Sequence, residues 1–204
     1  MTKPYVLILY YSRHGATRKL AQAISHGVEQ IKGIEARLRT VPRVSPVTES
    51  SEPEIPLKGD IYCSENDLRH CAALALGSPT RFGNMAAPLK YFIDSTASQW
   101  VNGDLIDKPA GVFTSTSSMH GGQESTLLSM MLPLIHHGML IVGVPYSEDD
   151  LHTTRSGGGP YGVSHLASGQ DKTSELTEEE ARIAVAYGKR LANLATRLCH
   201  QSTY

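Results

Sequence analysis

Apolar and polar residues alternate along this chain in two distinct periods. Tyr5 to Tyr11 is an unbroken apolar run, the pattern of a strand buried on both faces of a parallel sheet. A short polar turn, Ser12 to Ala16, follows it. From Thr17 to Ile31 the apolar positions Leu20, Ala23, Ile24, Val28 and Ile31 recur at helical spacing, and Gly33 is placed to stop the helix. Ile34 to Val41 alternates as a second strand. Between Pro42 and Arg69 the periodicity dissolves among prolines, serines and glutamates, as in a surface excursion with room for a short helix or two. Cys71 to Leu76 is a third buried run, closed by Gly77. Gly83 to Ser95 reads as a helix on Met85, Leu89, Phe92 and Ile93, and Ala110 to Thr114 as a fourth strand. A loop from Ser115 to Gly122 leads into a helix, Gln123 to His136, which Pro133 should bend. Met139 to Val144 reads as a fifth strand, and Ser147 to Ser174 is long and rich in glycine. Thr177 is a suitable N-cap for a last helix reaching about Leu198, with Glu178, Glu179 and Glu180 as its solvated first turn.

That order predicts an α/β fold: a doubly wound, five-stranded parallel sheet with helices on both faces. A single domain over 1–204 is expected, with irregular excursions at about 42–70 and 147–176, because no linker divides the chain into two complete sets of elements. The formal net charge is −1 and no basic block stands out, so neither nucleic acid nor a DNA-reading helix is expected. Three cysteines without C-x-x-C spacing, and histidines without H-x-x-x-H spacing, point to neither a disulfide framework nor a metal site. The apolar run near the N-terminus is too short to cross a membrane and lacks a cleavage site. A cytoplasmic protein without an integral membrane segment is expected.

In open α/β sheets ligands bind where strands end, and three strand-end loops here have unusual composition. Ser12-Arg13-His14-Gly15-Ala16-Thr17 joins a buried strand to a helix N-terminus, where backbone N–H groups and the helix dipole favour an anion. It is neither G-x-x-x-x-G-K-[ST] nor G-x-G-x-x-G, which argues against a nucleoside triphosphate or a Rossmann dinucleotide site. Gly77 to Met85 carries a rigid proline and an Arg–Phe pair that could wrap a flat ring. Ser115 to Glu124 combines small hydroxylated residues with paired glycines. Taken singly, each loop also reads as an ordinary connection. His136 and His137 also read as a helix C-terminal cap, and Trp100 as a half-buried aromatic.

The segments Gly77-Ser78-Pro79-Thr80-Arg81-Phe82-Gly83-Asn84-Met85, Gly121-Gly122-Gln123-Glu124 and His136-His137-Gly138-Met139 resemble signatures of the tryptophan-repressor-binding-protein (WrbA) family. These are flavodoxin-like NAD(P)H:quinone oxidoreductases. The resemblance runs from Tyr5 to about Leu198, and 42–69 matches poorly. It implies a flavodoxin-like fold, FMN as cofactor, NADH or NADPH as co-substrate and a quinone as acceptor in ping-pong order. It implies a homo-oligomer, a tetramer built as a dimer of dimers. By the same resemblance, Ser12, Arg13, His14, Gly15, Ala16 and Thr17 would hold the FMN phosphate, with His14 standing where the family often carries Tyr. Pro79, Thr80, Arg81 and Phe82 would follow the edge of the ring system, and Ser115, Thr116, Ser118 and Gly121 its pyrimidine side and ribityl chain. His137 would lie beside the flavin in a catalytic role. Trp100, from a neighbouring subunit, would line the substrate pocket, with Tyr161 as a further pocket candidate. Three other readings remain open: a flavodoxin-type electron carrier, a regulatory FMN-binding protein, and an NADPH-dependent FMN or azo reductase on the same fold.

Overall fold

The computed structural model describes residues 3–44, 56, 59–167 and 175–201. Every residue of the first strand, β1 (Tyr5–Tyr10), is buried, as a continuous apolar run requires when both faces are covered. Its odd and even positions serve two cores. Val6, Ile8 and Tyr10 pack with α1 (Ala16–Glu29) and α7 (Glu178–Gln201), while Tyr5, Leu7 and Leu9 pack on the opposite face. β2 (Glu35–Thr40) is half-buried at the sheet edge, where Arg39 pairs with Asp67 at 2.9 Å. Charge on an edge strand discourages pairing with another chain.

α2 (Glu65–Arg69) lies inside the first excursion. Ser64 and Asp67 cap it reciprocally, which is enough to start a five-residue helix in a proline-rich stretch. Thr40 pairs with Tyr62 in an isolated bridge. Residues 45–55 and 57–58 of that excursion, and 168–174 of the later one, lie outside the described residues. β3 (Ala73–Pro79) and β4 (Pro109–Thr116) are fully buried. Between them stand α3 (Ala87–Asp94) and α4 (Ala97–Asn102). The helix expected from Gly83 begins only at Ala87, because Phe82 and Gly83 are left-handed (φ 52° and 77°) and hold a tight turn.

The sheet is parallel throughout, in the order β2-β1-β3-β4, and its fifth position is split. β5 (Leu140–Ile141), which follows α5 (Gln123–His136), pairs with Pro109 and Ala110 at one end of β4. β6 (Val163–Leu166) pairs with Phe113 to Thr116 at the other. The expected strand Met139–Val144 is therefore shorter, and the Gly-rich stretch carries both α6 (Asp150–Thr153) and β6. The chain leaves the sheet at Gly143, where a Cβ would overlap the Pro160 carbonyl. The split leaves Val112 N–H at the bare middle of β4. Tyr187 fills that gap: its hydroxyl accepts from Val112 N at 3.0 Å and donates to Val142 O at 2.7 Å. Gly111 makes room for it, since a Cβ there would overlap the phenol.

Of the three glutamates expected in a solvated first turn of α7, Glu178 is exposed but Glu180 is fully buried. Consecutive helix positions point about 100° apart, so a run of three cannot share one environment. Among the described residues no helix is long and apolar enough to cross a membrane.

Candidate functional site

The loops after β1, β3, β4 and β6 meet at one edge of the sheet. In the first, Gly15 is the N-cap of α1 in a left-handed conformation (φ 97°), which glycine adopts without steric penalty. Ser12 Oγ accepts from Gly15 N at 3.2 Å and Arg18 N at 3.3 Å, and Lys19 N returns to Gly15 O at 3.0 Å. The first N–H groups of a helix have no partner within it. Those of Ala16 and Thr17 are thus available at the helix mouth, where the dipole is positive. Ser12, having accepted twice, keeps its own O–H to donate. Thr17 Oγ1 meets Ser115 Oγ at 2.8 Å, tying the first loop to the third.

These loops enclose a hollow of about 130 Å³ lined by Ser12, Arg13, His14, Ala16, Thr17, Pro79, Thr80, Arg81, Ser115 and Thr116, together with Ser117 and Ala167. Most of the residues expected at the phosphate, ring edge and ribityl chain thus come together in one place, with Gly15 shaping its floor. The volume suits a phosphate and part of a polyol chain, so a fused ring system would lie across the open rim. Phe82, next to Arg81 but outside the lining of the hollow, has 107 % relative exposure. Its turn is closed by Arg81 N to Asn84 O at 2.8 Å and Asn84 N to Arg81 O at 3.0 Å. A fully exposed phenylalanine in the left-handed region costs about 1 kcal/mol in backbone strain, a combination common at ligand clamps. Ser118 and Gly121 lie beyond Thr116 and Ser117 at the lip, outside the lining of the hollow.

His137 and Trp100 are elsewhere. They share a separate hollow of about 370 Å³ with Ile93, Asp94, Thr96, Ala97, Pro133 and His136. It lies at the far end of α5, whose fourteen residues span about 20 Å. Trp100 is 57 % exposed and donates from Nε1 to His136 O at 2.9 Å. His137 meets Thr96 Oγ1 at 2.9 Å through Nε2, while its buried Nδ1 has no partner. Burial, with a smaller contribution from His136, lowers the His137 pKa, so the imidazole is neutral at pH 7. One chain does not bring these two residues to the strand-end hollow.

A hollow of about 190 Å³ adjoins the start of α5, lined by Gln123, Glu124, Tyr146 and Tyr161 among others. A larger hollow, about 650 Å³, opens at the opposite edge between Tyr5, Arg69, Cys71 and Lys108, away from the strand ends where α/β sheets bind ligands. Sequence reasoning missed the buried polar residues behind the loops. Gln123, Ser164 and Glu180 are each buried and hydrogen-bonded to loop backbone or to a loop side chain. The Gln in the Gly121–Glu124 segment was a signal, because a buried carboxamide needs partners.

Residues 4–150 match the family model described as NADPH-dependent FMN reductase. The chain is 39 % identical to a protein named NAD(P)H dehydrogenase (quinone) from Solidesulfovibrio magneticus, over 95 % of this chain and 98 % of that one. It is 38 % identical to one of the same name from Geotalea daltonii, over 95 % and 97 %. Among solved structures it resembles a flavodoxin, WrbA-like protein from Agrobacterium tumefaciens, with a TM-score of 0.68 and 24 % identity over 95 % of this chain and 98 % of that one. An archaeal flavodoxin gives a TM-score of 0.61 at 16 % identity, over 94 % and 99 %. These two likenesses establish a flavodoxin-like fold.

Proposed function

The chain belongs to the NADPH-dependent FMN reductase family, and from that premise we propose that it is an FMN-dependent oxidoreductase carrying two reducing equivalents from NAD(P)H to a quinone. The observation that carries the reading is the strand-end hollow: free N–H groups at the mouth of α1, the Ser12 hydroxyl and the Thr17–Ser115 bridge, with Pro79, Thr80 and Arg81 alongside. This donor set fits a phosphate monoester. FMN held there would supply the redox chemistry, hydride acceptance and two-electron delivery between a nicotinamide and a quinone.

The chain's own part is binding and orientation. Ala16 and Thr17 N–H, with Ser12, hold the phosphate. Thr80 is fixed by its N–H on Ser115 O at 2.9 Å and its hydroxyl against Thr126 at 2.6 Å, so Pro79, Thr80 and Arg81 would form a firm edge for the ring. Phe82 offers an apolar face over the rim. Exposed Trp100, Val101, Leu132, Ile135 and Leu140 suit burial against further copies of the chain, and a tetramer accommodates the distance of Trp100 and His137 from the hollow of their own chain. Supplied by a neighbouring copy, Trp100 would wall the substrate space. His137 would line that wall beside Trp100, held through Nε2 on Thr96. The reading carries with it a cytoplasmic location, where NAD(P)H is available.

One rim used in turn by nucleotide and quinone implies ping-pong order. Initial rates of the FMN-loaded protein with NADH or NADPH, at several benzoquinone concentrations, are expected to give parallel double-reciprocal lines. Converging lines would show that both substrates bind together and would remove the shared rim from the account.

A further inference from the structure

The loop after β4 is tied to the protein by a directed chain of hydrogen bonds. Gly158 N donates to Ser164 Oγ at 2.8 Å, and Ser164 Oγ donates to Gln123 Oε1 at 2.9 Å. Gln123 Nε2 donates to Thr116 Oγ1 at 3.2 Å, and Thr116 Oγ1 donates to Ser118 O at 3.0 Å. All four bonds run one way, so each hydroxyl receives one proton and passes on its own. Gln123, Ser164 and Thr116 are all buried, which makes each link hard to replace. The carboxamide is the pivot: its acceptor faces Ser164 and its donor faces Thr116. A carboxylate would offer no donor there, and a hydrocarbon would offer neither group.

The chain ends on a particular peptide. Ser118 O also accepts from Gly121 N at 3.1 Å. Two donors therefore fix this carbonyl, the buried Thr116 hydroxyl from the protein side and Gly121 N from within the loop. No described peptide is cis, and in a trans peptide the N–H points opposite to the C=O. The Met119 N–H must then stand away from the loop's anchor, on its outer side. Gly121 closes the turn because a Cβ there would overlap Ser118.

We propose that Gln123 is a positioning residue for the flavin: acting through Thr116, it locks the Ser118–Met119 peptide so that its N–H is presented to the polar groups of the cofactor. The proposal rests on the FMN reading above. It gives Gln123 a role without contact to substrate, and it explains why a buried amide stands at the first position of α5.

The test uses the flavin-free full chain and Gln123→Met, which keeps volume and removes both polar groups. FMN titration is expected to show affinity about tenfold weaker than the parent, the loss of roughly one buried hydrogen-bond link. Riboflavin should weaken by the same factor, because the phosphate contacts are untouched. Without flavin, amide exchange at Gly121 should quicken while core amides such as Leu7 and Leu74 keep their rates. Ser164→Ala cuts the chain one link earlier and should weaken FMN in the same direction, so it carries the test if Gln123→Met folds poorly. FMN affinity within about twofold of the parent would overturn the proposal, whether or not Gly121 exchange changes. A parent chain that binds no flavin would overturn the FMN reading instead. Exchange at Gly121 would then still decide whether Gln123 locks the loop.

Discussion

Replacing Glu180 by Leu is expected to lower the unfolding free energy by about 4 kcal/mol, among the largest single-residue effects available in this chain. The carboxylate is fully buried. It accepts from Gly157 N at 2.8 Å, Leu166 N at 3.0 Å, Thr177 N at 3.0 Å and His165 Nδ1 at 2.7 Å. With Glu180 N donating back to Thr177 Oγ1 at 3.2 Å, it completes a reciprocal cap on α7. One side chain thus joins the last helix to the end of β6 and to the Gly-rich loop. Leucine would leave the buried Gly157 N and His165 Nδ1 without their acceptor, each costing about 1–3 kcal/mol, and would also strip the part-buried Leu166 N and Thr177 N of theirs.

Acid should expose the same dependence. Burial opposes ionisation of Glu180, but hydrogen bonds from His165, Leu166 and Thr177 outweigh it and lower the pKa. A carboxyl lowered in the folded state stabilises the fold above its unfolded pKa of about 4.3. That contribution is lost as the pH falls from there through the folded value. Urea melts of parent and Glu180→Leu at pH 7 and at progressively lower pH check both points. The gap between the two proteins should be widest at neutral pH and should narrow in acid. A loss under about 1 kcal/mol, constant with pH, would mean that the carboxylate is not what holds these segments.

The second large effect concerns the helix mouth. Riboflavin, which lacks the phosphate, is expected to bind the flavin-free protein at least about 100-fold more weakly than FMN. Two charge-assisted hydrogen bonds to a phosphate contribute about 1.5–3 kcal/mol each, and 1.4 kcal/mol is a factor of ten. Ser12→Ala should weaken FMN by about tenfold and leave riboflavin nearly unchanged. The residue also braces Gly15 and Arg18, so helix content is measured alongside. Quenching of flavin fluorescence on titration reads both constants. Equal affinities for the two flavins would remove the phosphate from this hollow.

The main frame was legible because its signals are strong. A run such as Tyr5–Tyr11 has few readings other than a buried strand, and the spacing from Leu20 to Val28 admits only a helix. Strand ends of a parallel sheet share one edge, so naming the three loops was enough to bring most of the residues expected at the phosphate and ribityl chain around one hollow. β6 was hidden because Val163 to Leu166 is four residues among glycines and serines, with pairing supplied by β4 and not by its own pattern. α4 is a single six-residue helix, below the length at which periodicity speaks. Glu180 sat in a run of three identical residues, and only the packing of α7 tells them apart. His137 and Trp100 were found by their likeness to a motif, which carries no distance. The structure puts them in a separate hollow at the far end of α5, so the proposed role asks for a neighbouring copy of the chain.

One measurement tests the oxidoreductase reading most directly: anaerobic addition of NADH or NADPH to the FMN-loaded protein, then of benzoquinone, followed on the visible flavin band. The expected result is complete bleaching by a stoichiometric amount of at least one nucleotide and full return of the band on adding stoichiometric quinone. A flavin that binds tightly yet stays coloured with both nucleotides would contradict the oxidoreductase and leave an electron carrier in its place.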